Sequence, residues 1–151
     1  MQYNIRRANY SDIGSMIVLL RTLFSIETDF DFNEGNQQKG LELMLEDLTN
    51  RYIVVAEQDG KSIGMCTAQI LVSTAEGGIS AVIEDLVVEE ACCRQGIGKE
   101  LLLAVEGWAW ERGARRLQLL ADRNNKRALE FYKGMDWKVT QLICLQKKRS
   151  W

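Results

Sequence analysis

The chain has 151 residues, of which 46% are hydrophobic and 26% charged, and its formal net charge is -2. This length suits one domain with a proper core, so we expect residues 1–151 to fold as a single domain. The small negative charge argues against proteins that coat nucleic acid, which carry a large basic excess, and we expect no nucleic-acid partner. No window approaches the roughly 20 apolar residues that span a bilayer. Residues 1–7 also lack the apolar core of a signal peptide, so we expect no membrane partner and a cytoplasmic location.

The histidine and cysteine content limits the possible chemistry. The chain has no histidine, and its four cysteines, Cys66, Cys92, Cys93 and Cys144, show no C-x-x-C spacing. The lack of histidine excludes Ser-His-Asp and Cys-His catalysis and histidine-ligated metal sites. We therefore expect reduced thiols and no metal, with any general acid or base supplied by Asp, Glu, Tyr, Lys, Cys or water.

The first third of the chain predicts one strand and two helices. Residues 2–7 alternate polar and apolar side chains, as a strand does, and Ser11 and Asp12 can cap a helix after them. The acidic and aromatic stretch 27–35 has no period and is expected to be a loop, and residues 37–49 predict a second helix. The apolar faces of the two helices are Ile13, Met16, Ile17, Leu20 and Phe24, then Leu41, Met44, Leu45 and Leu48.

The middle of the chain predicts three strands. Residues 52–58 and 61–72 are β-rich, and the Asp59-Gly60 pair between them is a strong hairpin signal, so these strands should be antiparallel. Residues 80–88 predict a third, apolar strand that carries two adjacent carboxylates, Glu84 and Asp85.

The last third predicts two helices and two strands. Residues 98–112 show the apolar spacing of a helix, with Gly113 as a C-terminal cap. A strand over 116–121, a short helix over 128–133 and a final strand over 137–146 follow. This order of elements predicts a mixed α/β fold of a sheet with flanking helices.

The loop between the third of these middle strands and the long helix carries Gly96 and Gly98. The free amides and the positive dipole end of a helix attract anions, and Arg94 and Lys99 add charge there. Glycines at this place could also serve only the tight turn. Two better-known phosphate loops do not fit, because Leu101 replaces the third glycine of the Rossmann pattern and the P-loop residues are missing.

Two motifs resemble those of the Gcn5-related N-acetyltransferase family. The segment 93–98 is similar to its cofactor loop, Q/R-x-x-G-x-G/A, between the fourth strand and third helix, although Cys93 departs from the first position. The segment 125–132 looks like its N-x-x-A-x-x-F-Y stretch, whose residues could otherwise be the apolar face of a short helix. Further on, Asp136 and Trp137 stand where the family usually has a Gly-Phe pair.

The resemblance implies a fold and a cofactor. The fold is a mixed, mostly antiparallel central sheet of six to seven strands flanked by four helices, in the order β-α-α-β-β-β-α-β-α-β. The cofactor is acetyl-coenzyme A (acetyl-CoA), used as a co-substrate. The residues that the resemblance assigns to its binding are Leu86, Val87, Val88, Arg94, Gln95, Gly96, Ile97, Gly98, Lys99, Asn125, Ala128 and Tyr132.

The resemblance also implies a reaction, the transfer of acetyl to a primary amine by direct attack in a ternary complex. Backbone N–H groups near Val87 and Val88 would polarise the thioester carbonyl, and Tyr132 would protonate the departing thiolate. Glu84 is the candidate general base; it could instead hold a structural hydrogen bond while the amine loses its proton to bulk water. In a regular strand Asp85 would point to the opposite face from Glu84.

The acceptor amine and the assembly are less constrained by the sequence. The acidic, aromatic stretch 27–34 would suit a small cationic amine, such as a polyamine or an aminoglycoside, or a protein or peptide amine; it could also be a solvated loop. A non-catalytic acyl-CoA-binding regulatory module is the alternative function. Dimers are frequent among similar proteins, and Trp151 with the final strand could contribute to a homodimer.

Overall fold

A computed structural model describes residues 2–150, which divide into two compact units, one up to Leu119 and one from Leu120 onwards. The strands, all in the first unit, are β1 (Asn4–Arg7), β2 (Arg51–Gln58), β3 (Lys61–Ser73), β4 (Gly78–Val88) and β5 (Leu117–Leu119). The first unit also holds α1 (Ile13–Ile26), α2 (Glu34–Glu46) and α3 (Ile97–Glu111), and the second holds α4 (Lys126–Gly134). No helix within residues 2–150 has the length and apolar character needed to cross a membrane.

The five strands form one mixed sheet in the order β1-β2-β3-β4-β5. The first three pairings are antiparallel, and β5 lies parallel to β4 because α3 provides the crossover between them. Asp59 and Gly60, with φ angles of 51° and 78°, form the tight turn of the β2–β3 hairpin. The predicted hairpin is therefore confirmed.

The two faces of the sheet bury different helices. Ile53 and Val55 of β2 belong to the apolar cluster that includes residues of α1 and α2. On the other face α3 approaches β3 at Gly64, where an added Cβ would lie 3.0 Å from Leu101 Cδ1 and 3.3 Å from Ile97 Cγ2. A glycine in β3 therefore lets the first turn of α3 pack closely against the sheet.

A buried ion pair fixes the start of α1 to β1. The carboxylate of Asp12 accepts two 2.8 Å hydrogen bonds from the guanidinium of Arg6 and a third from the N–H of Asn9. Burial alone would raise the pKa of Asp12, but the Arg6 and Asn9 hydrogen bonds outweigh it and lower that pKa. Asn9 and Asp12 thus form a capping box at the turn before α1, and Asp12 is the N-cap position of α1, whereas the other predicted cap, Ser11, does not cap the helix.

The second helix lies earlier than the sequence predicted. It begins at Glu34 because the side chain of Asn33 accepts a 3.0 Å hydrogen bond from the N–H of Asn36. It ends at Glu46, since the carboxylate of Asp47 then binds the next free amides in a turn. Leu48 therefore lies outside the helix and is 55% exposed, so its assignment to the apolar face was wrong.

The predicted final strand over 137–146 is absent from the part of the chain that the structure describes. The described sheet has five strands, so the expectation of six to seven was wrong, whereas the α/β fold and the four helices are confirmed. The segment has strand-forming residues, but none of the described strand pairings includes it, and Val139 and Leu145 are 91% and 87% exposed. Trp151 lies outside the described residues.

Candidate functional site

The loop before α3 has a backbone shape that few residues adopt. Gly96, the N-cap of α3, has a φ of 81°, and Arg94 has a φ of 67° although it carries a side chain. This left-handed conformation favours glycine at 96. Because an added Cβ would meet no atom within 4 Å, the preference comes from the backbone angle and not from a clash with neighbours. The turn thus directs the start of α3 towards solvent without filling the space before it.

The first turn of α3 offers the donors of an anion site. The N–H of Glu100 donates a 3.1 Å hydrogen bond to the carbonyl of Gly96, which leaves the amides of Ile97, Gly98 and Lys99 without a helical acceptor. The side chains of Arg94 and Lys99 are exposed beside these amides. Amides, dipole and two cations together can hold a pyrophosphate or another anion.

Cys93 replaces the family's Gln or Arg, so its side chain adds neither a cation nor a side-chain amide to this loop. Its sulfur lies 3.6 Å from the carbonyl oxygen of Glu89 and 3.8 Å from that of Val88. The half-buried thiol therefore faces the end of β4. The family has Gln or Arg where this chain has Cys93. Arg94, the next residue, is the nearest cation in the loop that could replace the missing side chain.

The end of β4 leaves one edge unpaired by the other strands. Its pairing with β5 ends at Ile83, whereas β4 continues to Val88. The N–H of Glu89 donates to the carbonyl of Ile63 on β3 at 2.8 Å. Because alternate residues of an antiparallel strand face opposite edges, the amide of Val87 also points to β3, and that of Val88 points away from it.

A β-bulge interrupts β4 at the two carboxylates. Val87 pairs with Met65, and Glu84 pairs with Thr67. Two residues of β4, Asp85 and Leu86, therefore lie opposite one residue of β3, Cys66. Asp85 has a left-handed backbone with a φ of 54°. The strand is therefore irregular at Asp85, where the sequence pattern predicts a regular strand.

The bulge brings both carboxylates to one cavity, of about 400 Å³, between α1, α2 and the sheet. The expectation that Asp85 would point away from Glu84 was wrong, because the extra residue shifts the alternation of the strand. Glu84 is exposed and Asp85 is half-buried. The other lining groups that define the cavity are apolar on the helices and polar on the sheet: Leu20, Phe24, Leu41 and Met44, then Arg51, Thr67 and Gln69.

Asp85 has the perturbed electrostatics expected of a functional carboxylate. Burial, followed by repulsion from Glu84 and Glu27, raises the pKa of Asp85 to about 7, against a hydrogen bond from Thr67 that lowers it. Burial likewise raises the pKa of the Cys66 thiol, which stays protonated at neutral pH. Asp85 can therefore gain and lose a proton near neutrality, and Cys66 cannot act as a thiolate there.

The acidic and aromatic loop after α1 is ordered by its own aromatic contacts. The rings of Phe24 and Phe30 lie 5.8 Å apart, and the guanidinium of Arg21 lies 4.7 Å from the ring centre of Phe32. Phe32 thus already receives a cation from the chain itself. Of these aromatic residues, Phe24 lines the cavity.

In the second unit, Asn125 and Ala128 are joined at the start of α4. The side-chain oxygen of Asn125 accepts a 3.1 Å hydrogen bond from the N–H of Ala128, so Asn125 is the N-cap of the helix. Tyr132 is half-buried, and its ring makes edge contacts with Phe131 and Trp137 at 5.4 and 6.2 Å. The motif is thus both a helix cap and a small aromatic cluster.

Asp136 replaces the family's usual glycine without loss of the turn. The N–H of Trp137 donates to the carbonyl of Tyr132, and the N–H of Asp136 donates to that of Lys133. These are the two hydrogen bonds of a Schellman motif, and Asp136 adopts the left-handed φ of 69° that the motif needs. The turn after Tyr132 therefore forms with aspartate in the glycine position.

One family model matches the chain, and a curated relative and solved structures resemble it. The model of the acetyltransferase (GNAT) family matches residues 19–137. The uncharacterized N-acetyltransferase YhfO of Bacillus subtilis (strain 168) is 26% identical over 132 residues, which are 85% of each chain. A transcriptional regulator from Bacillus halodurans C-125 shares the fold, with a TM-score of 0.86 at 22% identity over 97% of this chain and 100% of its own. The aminoglycoside acetyltransferase meta-AAC0020 from an uncultured soil metagenomic sample, solved with trehalose, has a TM-score of 0.79 at 26% identity, covering 98% of this chain and 97% of its own.

Proposed function

Because the chain belongs to the acetyltransferase (GNAT) family, we propose that it moves an acetyl group from acetyl-CoA to a primary amine by direct attack in a ternary complex. The observation that carries this proposal is the exposed left-handed turn at Gly96, which begins α3 next to the end of β4. A turn of this shape places backbone donors, and not a side chain, before the helix. A phosphate-bearing cofactor is the ligand that such a turn accommodates.

The pyrophosphate would be bound by the first turn of α3. The amides of Ile97, Gly98 and Lys99 would donate to its oxygens, and the side chains of Arg94 and Lys99 would add charge. Gln95 is exposed in the same loop and would contact the cofactor by hydrogen bonding. In the second unit, Asn125 and Ala128 are proposed to contact the pantetheine arm, as the resemblance implies.

The thioester would lie along the edge of β4. Val88 presents its amide on the side away from β3, where it can donate to the thioester carbonyl as an oxyanion hole does, and we propose that the amide of Leu86, in the bulge, contributes with it. Val87 was assigned to the same group, but its amide points to β3, so we propose that its contribution is the buried packing of the strand end. Tyr132 is the proposed general acid that protonates the thiolate of coenzyme A.

The acceptor is proposed to be a small cationic amine, such as a polyamine or an aminoglycoside. The cavity at the bulge supports this, since carboxylates at its sheet side attract an ammonium group and apolar helix residues contact a carbon skeleton. Glu84, exposed at this cavity, would draw in the amine and pass its proton to water. The relative from the soil metagenome is an aminoglycoside acetyltransferase, which favours a small molecule over a protein or peptide amine.

The alternative is a non-catalytic acyl-CoA-binding regulatory module. Calorimetric titration with acetyl-CoA, followed by thiol release with a panel of amines and peptides, distinguishes the two. Binding with amine-dependent thiol release supports the enzyme, and binding without release over the whole panel supports the module. We further propose that the protein is cytoplasmic, folds as a single domain and can form a homodimer.

A further inference from the structure

We propose that Asp85 is the group that takes the proton from the attacking amine, and that Glu84 acts as its exposed neighbour that returns this proton to water. This inference rests on the proposed acetyltransferase function and assigns its proton transfer to a residue that the sequence pattern directs away from the site. Three features of the molecule support it: the geometry of the bulge, the groups around Asp85, and the position of Asp85 along β4.

The bulge is the first argument. A non-glycine residue with a φ of 54° is disfavoured by about 1 kcal/mol or more, so such a conformation persists where the surrounding structure imposes it. Here the hydroxyl of Thr67 donates a 3.1 Å hydrogen bond to the carbonyl of Glu84, directly before the strained residue. Without the bulge, Asp85 would face the side of the sheet that carries α3, and the cavity would have one carboxylate instead of two.

The surroundings of Asp85 are the second argument. Glu84 from β4 and Glu27 from the end of α1 repel its charged form, whereas the hydroxyl of Thr67 on β3, which donates to the carbonyl of Glu84, acts to lower the pKa of Asp85. The Cys66 thiol, also from β3, is neutral at this position. Arg51 of β2 lines the same cavity, but its guanidinium donates to the carbonyl of Leu43 at 2.8 Å. Arg51 keeps its positive charge there, but the charged groups that raise the pKa of Asp85 are the two carboxylates, which favour the uptake of a proton or of a cation.

The position along β4 is the third argument. Asp85 lies three residues before Val88, whose amide points away from β3. A carbonyl bound to that amide would lie on the same strand as the carboxylate, and the proposal requires the attacking nitrogen to come within hydrogen-bond reach of Asp85. Glu84 lies on the exposed side of the same cavity, in contact with water.

The proton and electron balance of the step is complete with groups already named. The lone pair of the amine nitrogen forms the C–N bond to the acetyl carbon, and the electrons of the C–S bond leave with the sulfur of coenzyme A. The proton released from nitrogen passes to the carboxylate of Asp85, and the thiolate takes a proton from Tyr132. Asp85 then loses its proton to water beside Glu84, and the tyrosinate of Tyr132 regains one proton from water, which restores the starting state.

The test compares Asp85→Asn with Glu84→Gln, each of which removes one charge from the same cavity. Asparagine tolerates a left-handed backbone, so Asp85→Asn preserves the bulge. Glu46→Gln, an exposed carboxylate outside the cavity on α2, is the control. For each protein the dissociation constant of acetyl-CoA is measured by calorimetry, and kcat/KM of amine acetylation is measured from pH 5 to 9.

The wild-type profile should rise along an acid limb with a midpoint near pH 7. Asp85→Asn should lower kcat by about 10²- to 10⁴-fold, remove this limb and leave acetyl-CoA binding unchanged. Glu84→Gln should keep the limb but move it to lower pH, because it removes a charge that opposes ionisation of Asp85. Full activity in Asp85→Asn, or loss of the limb only in Glu84→Gln, would overturn the assignment.

Two further results separate this inference from the function that it rests on. If wild-type protein binds no acetyl-CoA or acetylates no amine, the proposed function itself has failed. If Asp85→Asn does not fold, NMR titration of the wild-type Asp85 carboxyl carbon replaces it. A midpoint near 7 that falls in Glu84→Gln supports the inference, and a midpoint near 4 in both proteins refutes it.

Discussion

The hydroxyl of Thr67 donates a 3.1 Å hydrogen bond to the carbonyl of Glu84, across the two strands at the point where their register shifts. Thr67 is 3% exposed and also lines the cavity that both carboxylates share. One buried side chain thus holds the irregular backbone and forms part of the cavity surface. The shape of β4 at this point is maintained from β3.

Replacement of Thr67 by valine should therefore affect both stability and activity. Valine keeps the shape and removes the hydroxyl, so the Glu84 carbonyl loses a hydrogen bond and the unfolding free energy should fall by about 1–2 kcal/mol. Because this hydroxyl also lowers the pKa of Asp85, the acid limb of the pH-rate profile should move to higher pH. Chemical denaturation and pH-dependent acetylation measure the two effects. An acid limb at the wild-type pH would show that the Thr67 hydroxyl does not affect the pKa of Asp85.

Gly96→Ala tests the left-handed turn before α3. With a φ of 81° and no atom within 4 Å of an added Cβ, the cost is conformational, about 1 kcal/mol, with weaker acetyl-CoA binding as the turn relaxes. Gly107→Ala in the same helix is the matched control. Its Cβ would also meet nothing within 4 Å, but its backbone is helical, so stability should rise by about 0.5–1 kcal/mol with unchanged binding. Equal effects of the two variants on binding would count against the anion site.

Arg94→Asn separates charge from backbone strain in the same loop. Asparagine tolerates the φ of 67° better than arginine, so the melting temperature should stay the same or rise slightly. The cation beside the helix N-terminus is lost, so acetyl-CoA should bind about 3- to 10-fold more weakly, and the difference should shrink in high salt. Calorimetry at two salt concentrations measures this; unchanged affinity would show that Cys93 is not compensated by Arg94.

Asp85 should also make stability depend on pH. Its pKa rises from 3.8 in the unfolded chain to about 7 in the folded protein, so between these values the folded state holds a proton that the unfolded state has released. The unfolding free energy should therefore decrease as pH rises from about 4 to 7, and this contribution should stay constant above pH 7. Relative to wild type, Asp85→Asn should gain about 1–3 kcal/mol between pH 4 and pH 8. Denaturant titrations at pH 4 and pH 8 measure this change. An equal gain in Glu46→Gln would show that the pH dependence does not come from Asp85.

Local turn chemistry made much of the fold predictable. Asp59-Gly60 specifies a hairpin and Gly113 a helix end, and both positions have the positive φ that their residues favour. Asp136 shows another case, in which the backbone hydrogen bonds of the turn after α4 hold an aspartate at a left-handed φ where the family pattern has a glycine. The anion loop was predictable because few residues other than glycine readily adopt the left-handed backbone that Gly96 has before α3.

Features that depend on pairing between distant residues could not be predicted from the sequence. The bulge at Asp85 arises from the register between β3 and β4, which a period of two along β4 does not reveal. The segment 137–146 has strand-forming residues, but a strand also needs a neighbour, and local pattern does not supply one. Gly64 likewise acquires its importance only when α3 lies against it.

The most direct test of the proposed function is the release of free thiol from acetyl-CoA by purified protein, with and without a panel of small cationic amines. We expect saturable, amine-dependent release, one thiol for each acetylated amine, with an acid limb near pH 7. Tight binding of acetyl-CoA with no amine-dependent release across the panel would contradict it and favour a regulatory acyl-CoA-binding module.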